Sequence, residues 1–421
     1  MGGEPVAVVC LRGMVHRDQG STVHILKVVQ AYYPFQENGG AVVKVRALAR
    51  ALARRGHEVT VLTADLGVAS RDDTAMKIER CRWGWRAQQD GVVTVYLPTL
   101  GHYRALTINS NVIEFCRSHL REFDLVHFYG LYDLLGPTVS FFCRRYGIPY
   151  VIEPMGMNRP IDRNIQMKRL WHRCMGGRYW RNAARIVATS EMEQEELLED
   201  NVLLHKIVMR YNGVDSVPDM AGILRGSFRR QHGISANEPL VLFLSRLIPR
   251  KGADVLIQAF AQACPQSGRL VIAGPEGETG YRAFLEKCAI DVGVGGRVLF
   301  TGPIYDEQKR AVFVDSDLFA LPSRYENFAN AAAEAIAFGI PVIITPFCGI
   351  RSLVDGRAGL IVPPEKEPLA DALRNMIDNK PLFERLREGC TEVAAQLSWD
   401  RLTQQMEGYY TDVLASENGT H

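Results

Sequence analysis

Short runs of branched apolar residues alternate with helix-like stretches along most of this chain, and this alternation restricts the folds open to it. The first two runs are Val23–Gln30 and His57–Thr63, and between them Ala41–Arg55 carries its apolar residues on one helical face. A strand, a helix and a strand in this order form a βαβ unit with parallel strands. Further strands are expected at 92–97, 125–128, 150–153 and 186–189. The pattern predicts a doubly wound parallel sheet in an α/β fold.

The same alternation restarts after a stretch of weak pattern, 212–237, in which Gly213, Pro218 and Gly233 interrupt regular structure. Six more apolar runs follow, at 240–245, 270–273, 298–301, 318–321, 342–345 and 359–362. The chain has 421 residues, more than the ~250–300 at which a single core stops growing. We therefore expect two Rossmann-like domains, at 21–215 and 235–395, facing a central cleft, with an N-terminal extension over residues 1–20.

Charge and cysteine usage narrow the class of protein. The net charge of +2 gives no reason to expect a nucleic-acid partner. The nine cysteines are scattered and form no C-x-x-C pair, which predicts reduced thiols, a cytoplasmic location and no zinc site. No apolar run is long enough to cross a membrane.

Two carboxylates occur beside an expected helix start in the stretch that follows the strand at 318–321. Glu326 lies in a loop, and Glu334 lies in the first turns of an alanine-rich helix that begins near Asn330. The free backbone amides of such a helix start, from Phe328 to Ala331, suit an anion, and the carboxylates suit sugar hydroxyls. On these residues alone, ordinary helix-start acids are an equally good explanation.

A second cluster follows the strand at 240–245. Arg246 and the pair Lys251-Gly252 lie at the head of the next helix, where an arginine fork and a lysine charge can hold a diphosphate. A solvated basic turn is the alternative, and for Arg250 we prefer it. The absence of a D-x-D triplet in a suitable loop is consistent with a site that uses no metal; Asp315-Ser-Asp317 has that spelling but precedes the strand at 318.

The order and spacing of four motifs resemble the retaining GT-B glycosyltransferases of family 4. The motifs are Gly39-Gly40, Arg246 with Lys251-Gly252, Glu326 followed eight positions later by Glu334, and Gly339-Ile-Pro-Val342. The resemblance extends from about residue 22 to Trp399. It implies that the last segment, 398–421, is a helix that crosses back to pack on the first domain.

The resemblance also assigns roles to residues. His127, Arg246, Lys251 and Glu326 become the catalytic set: Arg246 and Lys251 for the diphosphate, Glu326 and His127 for the donor sugar. Glu334 is expected to bind the ribose. The full donor-binding set is Gly39, Gly40, Arg246, Lys251, Glu326, Asn327, Phe328, Ala329, Asn330 and Glu334. No metal or cofactor is expected, and the expected donor is a UDP-sugar.

One departure from the family concerns the loop Glu326-Asn327-Phe328-Ala329, where the family commonly has glycine at the second and fourth positions. Asn327 tolerates the left-handed backbone region, and Ala329 is the smallest replacement with a Cβ, so we expect the loop to keep its shape. The sugar pocket is expected to differ. A non-catalytic regulator that binds nucleotide sugars is an alternative based on these replacements, and a sugar-nucleotide epimerase or hydrolase of the same fold is another.

The sequence defines the acceptor less closely than the donor. We expect a glycan or a lipid-linked saccharide and a front-face mechanism. Glu153, before the loop at Pro154, could orient an acceptor hydroxyl or make a salt bridge. The segment 159–185 combines eight Lys or Arg residues with Trp171, Tyr179 and Trp180, which suits either a peripheral contact with an anionic membrane or a helix whose aromatics pack inward.

Overall fold

The structure is a computed structural model, built around one largely parallel sheet and one fully parallel sheet. It describes residues 22–35, 40–70, 76–103, 106–158, 166, 170–171, 177–215, 225–264 and 266–418. The expected extension over residues 1–20 and Gly39 lie outside the described residues.

The first domain contains a nine-stranded sheet and a two-stranded hairpin. Its strands are β1 (His24–Val28), β2 (Glu58–Ala64), β3 (Ile78–Cys81), β4 (Gly84–Gln89), β5 (Val92–Leu97), β6 (Thr99–Tyr103), β7 (Leu106–Asn109), β8 (Leu125–Tyr129), β9 (Tyr150–Glu153), β10 (Arg185–Ala188) and β11 (Ile207–Met209). The large sheet has the order β11-β10-β9-β8-β1-β2-β5-β4-β3, and β6 pairs with β7. The helices are α1 (Gly40–Arg54), α2 (Val112–His119), α3 (Leu135–Tyr146), α4 (Gly177–Arg181) and α5 (Glu191–Glu199).

The second domain contains a six-stranded parallel sheet. Its strands are β12 (Leu240–Leu244), β13 (Arg269–Ala273), β14 (Val298–Gly302), β15 (Leu318–Leu321), β16 (Val342–Ile344) and β17 (Gly359–Ile361), in the order β14-β13-β12-β15-β16-β17. The helices are α6 (Ser227–Gln231), α7 (Ala253–Ala263), α8 (Tyr281–Asp291), α9 (Asp306–Asp315), α10 (Asn330–Ala337), α11 (Arg351–Val354), α12 (Lys366–Asp378) and α13 (Lys380–Gln396).

Both sheets reverse their winding direction in the middle, which fixes where a ligand can bind. In the first sheet the reversal lies between β1 and β8, and in the second it lies between β12 and β15. Open α/β sheets bind ligands at the carboxyl ends of the strands beside such a reversal, because the helices diverge there and leave a crevice. The loops after β12 and β15 are therefore the main candidates in the second domain, and the loops after β1 and β8 in the first.

A final helix, α14 (Trp399–Asn418), packs on the first domain. Its buried residues Trp399, Met406, Tyr410 and Val413 belong to the same apolar cluster as Leu48 of α1. The connection into the second domain and the return from α13 run side by side, since Val214 N donates to Leu397 O at 2.8 Å. None of the described helices is both long and apolar enough to span a bilayer.

The strands that the sequence analysis did not predict are mainly antiparallel. The ribbon β3–β4 adds to the edge of the first sheet through β5, and β6–β7 forms a separate hairpin. The six strands predicted for the second domain are observed within one residue at each end.

Candidate functional site

The loop after β12 brings a lysine against the loop after β15. Gly252 has φ of 72°, and a Cβ there would overlap Pro322 O, so glycine permits both the turn and the close approach. The short turn Pro249–Lys251 precedes it, and the buried Lys251 ammonium forms an ion pair with the Glu326 carboxylate. The two residues that the sequence analysis placed at the diphosphate and at the sugar are thus in direct contact.

The backbone around Glu326 is held by its neighbours. Glu326 N donates to Phe347 O and Gly349 N donates to Glu326 O, both at 2.9 Å. A Cβ at Gly349 would overlap Asn327 O. This bridge fixes the carboxylate at the carboxyl edge of the sheet without using its side-chain oxygens.

Arg246 lies at the end of β12 on the same edge, with an exposed side chain. Ser245 N donates to Ala273 O at 3.1 Å, and Gly274, with φ of 137°, lets the neighbouring strand end pass close to Ser245 O. Within the described part of the chain, no hydrogen bond or ion pair is recorded for the Arg246 guanidinium. Backbone packing therefore fixes the strand end that carries Arg246, and its guanidinium is open to an anion.

Two helix N-termini meet at this point. α10 begins after Ala329, which has φ of 78° and ψ of 59°, so the loop keeps a left-handed residue where the family has glycine. α1 begins at Gly40 in the first domain, and a Cβ on Gly40 would lie 3.2 Å from Asn330 Nδ2. Both helix ends present free amides and positive dipole ends toward one small region, which suits an anion such as a diphosphate.

Glu334 is paired with a residue that the sequence analysis did not single out. Lys309 Nζ of α9 lies 2.6 Å from Glu334 Oε2, and both side chains are partly exposed. Lys309 precedes Glu334 by 25 positions, and no local pattern links the two residues.

The loop with Asn327 crosses to the first domain. Asn327 Nδ2 donates to Thr189 Oγ1 at 2.9 Å, and a Cβ at Gly156 would lie 2.7 Å from the Asn327 Cβ. Asn212 Nδ2 likewise donates to Asn330 Oδ1 at 2.8 Å. Two of the residues expected to bind the donor therefore contact the other domain directly.

Phe328 contributes to this loop mainly through packing. Its side chain is buried, with its ring centroid 6.1 Å from that of Tyr211. Only its backbone can serve a ligand.

The expected position of His127 at a strand end in the cleft is wrong. His127 is completely buried, and its Nδ1 lies 2.7 Å from Tyr410 Oη and 3.0 Å from Tyr129 Oη. The reason is its register: His127 pairs with Lys27 of β1, and side chains of paired residues share the sheet face, here the face covered by α14. Burial, and then the charges of Lys27 and Arg210, lower the pKa of His127 well below its ordinary value.

Glu153 makes the salt bridge that was one of its two expected roles. The buried carboxylate pairs with the Lys44 ammonium of α1 and, at 2.6 Å, with Arg210 Nη2. Burial would raise the pKa of Glu153, but the charges of Arg210 and Lys44 outweigh it and hold the pKa below the ordinary value. These two ion pairs connect α1 to the end of β9 and to the residue that follows β11.

The basic segment 159–185 is described only in part, at residues 166, 170, 171 and 177–185. Two of its three aromatic residues face inward: Tyr179 is buried, and Trp180 packs against the same core cluster. Among the three aromatic residues, this leaves Trp171, which is half-buried, to support the expected membrane contact, and that contact stays a prediction.

The two aspartates of the D-x-D pattern at Asp315–Asp317 have a structural role. Asp315 accepts from Gly226 N at 2.5 Å and from Arg229 N, while Asp317 accepts from Arg229 Nη2 at 2.7 Å. The two carboxylates anchor α6 beneath the second sheet. Among the described residues, no cluster of three or more His, Cys, Asp or Glu side chains could hold a metal ion.

Two family models match the chain. The model described as Glycosyl transferase 4-like domain matches residues 39–213, and the one described as Glycosyl transferases group 1 matches residues 225–393. Together they cover the whole second sheet and all of the first sheet except β1, and they include Gly40, Arg246, Lys251, Glu326 and Glu334.

Curated relatives and solved structures agree with these matches. The D-inositol 3-phosphate glycosyltransferases of Corynebacterium diphtheriae and Corynebacterium aurimucosum are 25% and 28% identical, covering 89% and 90% of this chain and 90% and 92% of the relatives. Sucrose-phosphate synthase from Thermosynechococcus elongatus has a TM-score of 0.72 at 22% identity, covering 94% of this chain and 100% of that one. HepE from Anabaena in complex with UDP-glucose has a TM-score of 0.72 at 21% identity, with 93% and 100% covered. These structural likenesses establish a shared fold.

Proposed function

The chain belongs to the group 1 glycosyltransferases and has their GT-B fold, and from this premise we propose that it moves a sugar from a nucleotide diphosphate donor to a glycan or lipid-linked saccharide. One observation carries the donor assignment: the exposed Arg246, the Lys251–Glu326 pair and the first amides of α1 and α10 converge on the reversal point of the second sheet. Cations and helix N-termini together suit a diphosphate, and the adjacent carboxylate suits a hydroxylated ring.

The donor we propose is a UDP-sugar. The solved relative from Anabaena carries UDP-glucose, which supports this choice without fixing the sugar. In the free protein each expected donor carboxylate holds a lysine: Glu326 holds Lys251, and Glu334 holds Lys309. Donor binding would break both ion pairs. Lys251 would then contact the phosphate, Glu326 the sugar hydroxyls and Glu334 the ribose.

Transfer with retention of configuration is proposed to follow a front-face route. The bond from the anomeric carbon to the diphosphate oxygen breaks, and the acceptor oxygen forms its bond to that carbon on the same face. The departing phosphate oxygen takes the acceptor proton. Arg246, Lys251 and the helix-start amides would stabilise the negative charge that develops on the diphosphate, so this route uses no metal or cofactor.

The acceptor side is proposed to lie in the first domain. A saccharide carried by a lipid, or a free glycan, would approach the loops after β1 and β8, opposite the donor site. We keep a cytoplasmic location with peripheral contact to an anionic membrane as part of this proposal.

Binding and kinetics on four variants test the donor site. UDP-, GDP- and ADP-sugars are first compared for their increase of the melting temperature, since a ligand that binds the folded state stabilises it. With the best donor, Arg246→Ala and Lys251→Ala should each lower the transfer rate by ~10²–10³, the loss expected for one group that stabilises developing charge. Glu334→Ala should weaken binding of free nucleotide, whereas Glu326→Ala should spare it and still lower transfer.

Lys287→Ala is the matched control, because it removes an exposed lysine of α8 in the same domain. Its rate should equal that of the wild type. Unchanged turnover in Arg246→Ala or Lys251→Ala would contradict the diphosphate assignment. Epimerised sugar in the absence of any acceptor would favour an epimerase of the same fold over a transferase.

A further inference from the structure

The first domain exposes apolar side chains on α2, on α3 and on the β6–β7 hairpin. Leu100 and Ile108 of the β6–β7 hairpin are 73% and 55% exposed, Ile113 of α2 is 49% exposed and Phe141 of α3 is 56% exposed. Single exposed apolar residues are common on soluble proteins, so their arrangement matters more than their number.

Ile113 and Phe141 lie on one continuous surface. Ile113 and Arg117 line two neighbouring grooves of about 340 and 420 Å³. The larger groove separates α2 from α3 and is also lined by Pro137, Phe141 and Phe142. The smaller groove reaches Asn109 at the end of the hairpin, next to Ile108. We call this region, Ile113 and Phe141 with the two grooves, the α2–α3 surface.

Cations border the α2–α3 surface. Arg117 is one helical turn from Ile113, and Arg144 and Arg145 are one turn from Phe141, so apolar and basic residues share the same helix faces. Arg121 is exposed at the end of this region, where its guanidinium lies 3.8 Å from the centre of the Tyr146 ring.

The acids of the region do not cancel this charge. Glu114 accepts from Arg82 Nε at 2.7 Å and is thereby neutralised, which leaves Glu122 and Asp124 against four arginines on the two helices and the turn between α2 and β8. The surface is therefore apolar with a positive border.

The topology sets the α2–α3 surface beside the cleft. α2 leads into the start of β8 and so runs antiparallel to that strand, which puts Ile113 at the carboxyl edge of the sheet. α3 starts from the same edge a few residues after β8 ends. The apolar part of the surface thus borders the edge at which we placed the acceptor, and Arg144 and Arg145 lie farther from it.

We propose that the α2–α3 surface docks on an anionic membrane. Apolar side chains flanked by arginines are the composition that inserts at the boundary between lipid headgroups and acyl chains, and the grooves offer space for acyl chains. Docking in this orientation would present the cleft to a saccharide attached to a lipid. This docking rests on the peripheral membrane contact of the proposed function and names the surface that makes it. It does not depend on the donor chemistry, so a failure of docking and a failure of the donor assignment can be told apart.

Flotation of the full chain with vesicles, in the absence of any sugar nucleotide, tests the proposal. The chain should float at low salt with vesicles of equal parts phosphatidylcholine and phosphatidylglycerol, and only weakly with phosphatidylcholine alone. Arg144→Gln/Arg145→Gln should lower the partition coefficient about 25-fold, at about fivefold for each cation near the surface. Ile113→Ser/Phe141→Ser should lower it at least ~10-fold through lost apolar insertion.

Phe284→Ser/Ile290→Ser is the matched control, because it removes two exposed apolar residues of α8 in the second domain. It should float like the wild type, and unchanged melting temperatures would show that all variants fold. The proposal is overturned if the wild type stays with the unbound fraction, or if the control loses as much binding as the test variants. A dimer that dissociates with Ile113→Ser/Phe141→Ser, in a chain that ignores vesicles, would assign the surface to a second copy instead.

Discussion

Asn327 connects the donor loop to the opposite domain through its side chain. Its amide donates to Thr189, and Gly156 leaves just enough room for its Cβ. A glycine at this position could not make the bond. Asparagine in place of the family's glycine therefore joins the donor loop, next to Glu326, to the first domain. The residues around Asn327 in the sequence do not reveal this contact.

Asn327→Gly should raise the KM for the donor about 3- to 10-fold with a smaller change in kcat. A hydrogen bond of this kind contributes about 0.5–1.5 kcal/mol, and its loss makes the arrangement of domains that binds donor less populated. Thr189→Val removes the same bond from the other side, so steady-state kinetics on both variants and the double variant form a cycle. Fully additive effects of the two substitutions would contradict a direct interaction.

The pH dependence of stability should reflect the neutral, buried His127. Because its pKa is lowered in the folded state, it contributes stability that is present above the unfolded pKa of about 6.5 and lost as the pH falls below it. The advantage of the wild type over His127→Gln should thus shrink between pH 7 and pH 5, with a slope of at most about 1.4 kcal/mol per pH unit. Denaturant unfolding at several pH values measures this, and a constant difference would show that folding does not lower the pKa of His127.

Lys251, Glu326 and Arg246 could be found from the sequence because each lies in the loop after a buried strand, and the ends of parallel strands share one edge of a sheet. Sequence reasoning misplaced His127 because the choice between two sheet faces depends on register with Lys27, a hundred residues away in the chain. It missed Lys309 and Thr189 for a similar reason, since their contacts join separate helices and domains.

At the scale of elements, α14 completes the core of the first domain. Trp399, Leu402, Met406, Tyr410 and Val413 are buried, and the Tyr410 hydroxyl bonds to His127. Gly213 is required beside this helix, since a Cβ there would overlap the Trp399 indole. The helix is therefore a structural part of a domain from which it is separated by the whole second domain.

Truncation before Trp399 should unfold or aggregate the first domain. Burial of these five apolar side chains contributes about 1.5–3 kcal/mol each. Their sum is comparable to the whole free energy of unfolding of a typical protein, about 5–15 kcal/mol. Tyr410→Phe, which keeps the ring, should cost only about 1 kcal/mol. Soluble yield, circular dichroism and thermal unfolding compare the two, and a soluble, active truncated chain would contradict the role given to α14.

The strands of the second domain could be predicted because a buried parallel strand is a continuous apolar run. The ribbon β3–β4 was missed for the opposite reason. The residues of its outer strand, Ile78–Cys81, are all exposed or half-buried, and this edge ribbon lacks the apolar run that marks a central strand.

At the scale of the whole molecule, the two domains interlock through their loops. Asn212 bonds to Asn330, Tyr325 Oη donates to Glu196 at 3.2 Å, and Arg351 lies 3.7 Å from Glu195. Most of these contacts are polar and partly exposed, unlike the apolar cores on either side. Polar interfaces of this kind permit relative domain motion. Opening and closing of the domains would therefore change the positions of the loops around the donor site.

The return of α14 also affects the order in which the molecule can be completed on the ribosome. β1 and α1 emerge early, but the residues that cover their sheet face, Met406, Tyr410 and Val413, emerge only after the entire second domain. At 5–20 residues per second, the first domain would wait roughly 10–40 s with that face open to solvent. The second domain, synthesised later, carries its own apolar core and can close first. The domain made first is thus the one finished last, and its exposed sheet face is a natural place for a chaperone to bind during synthesis.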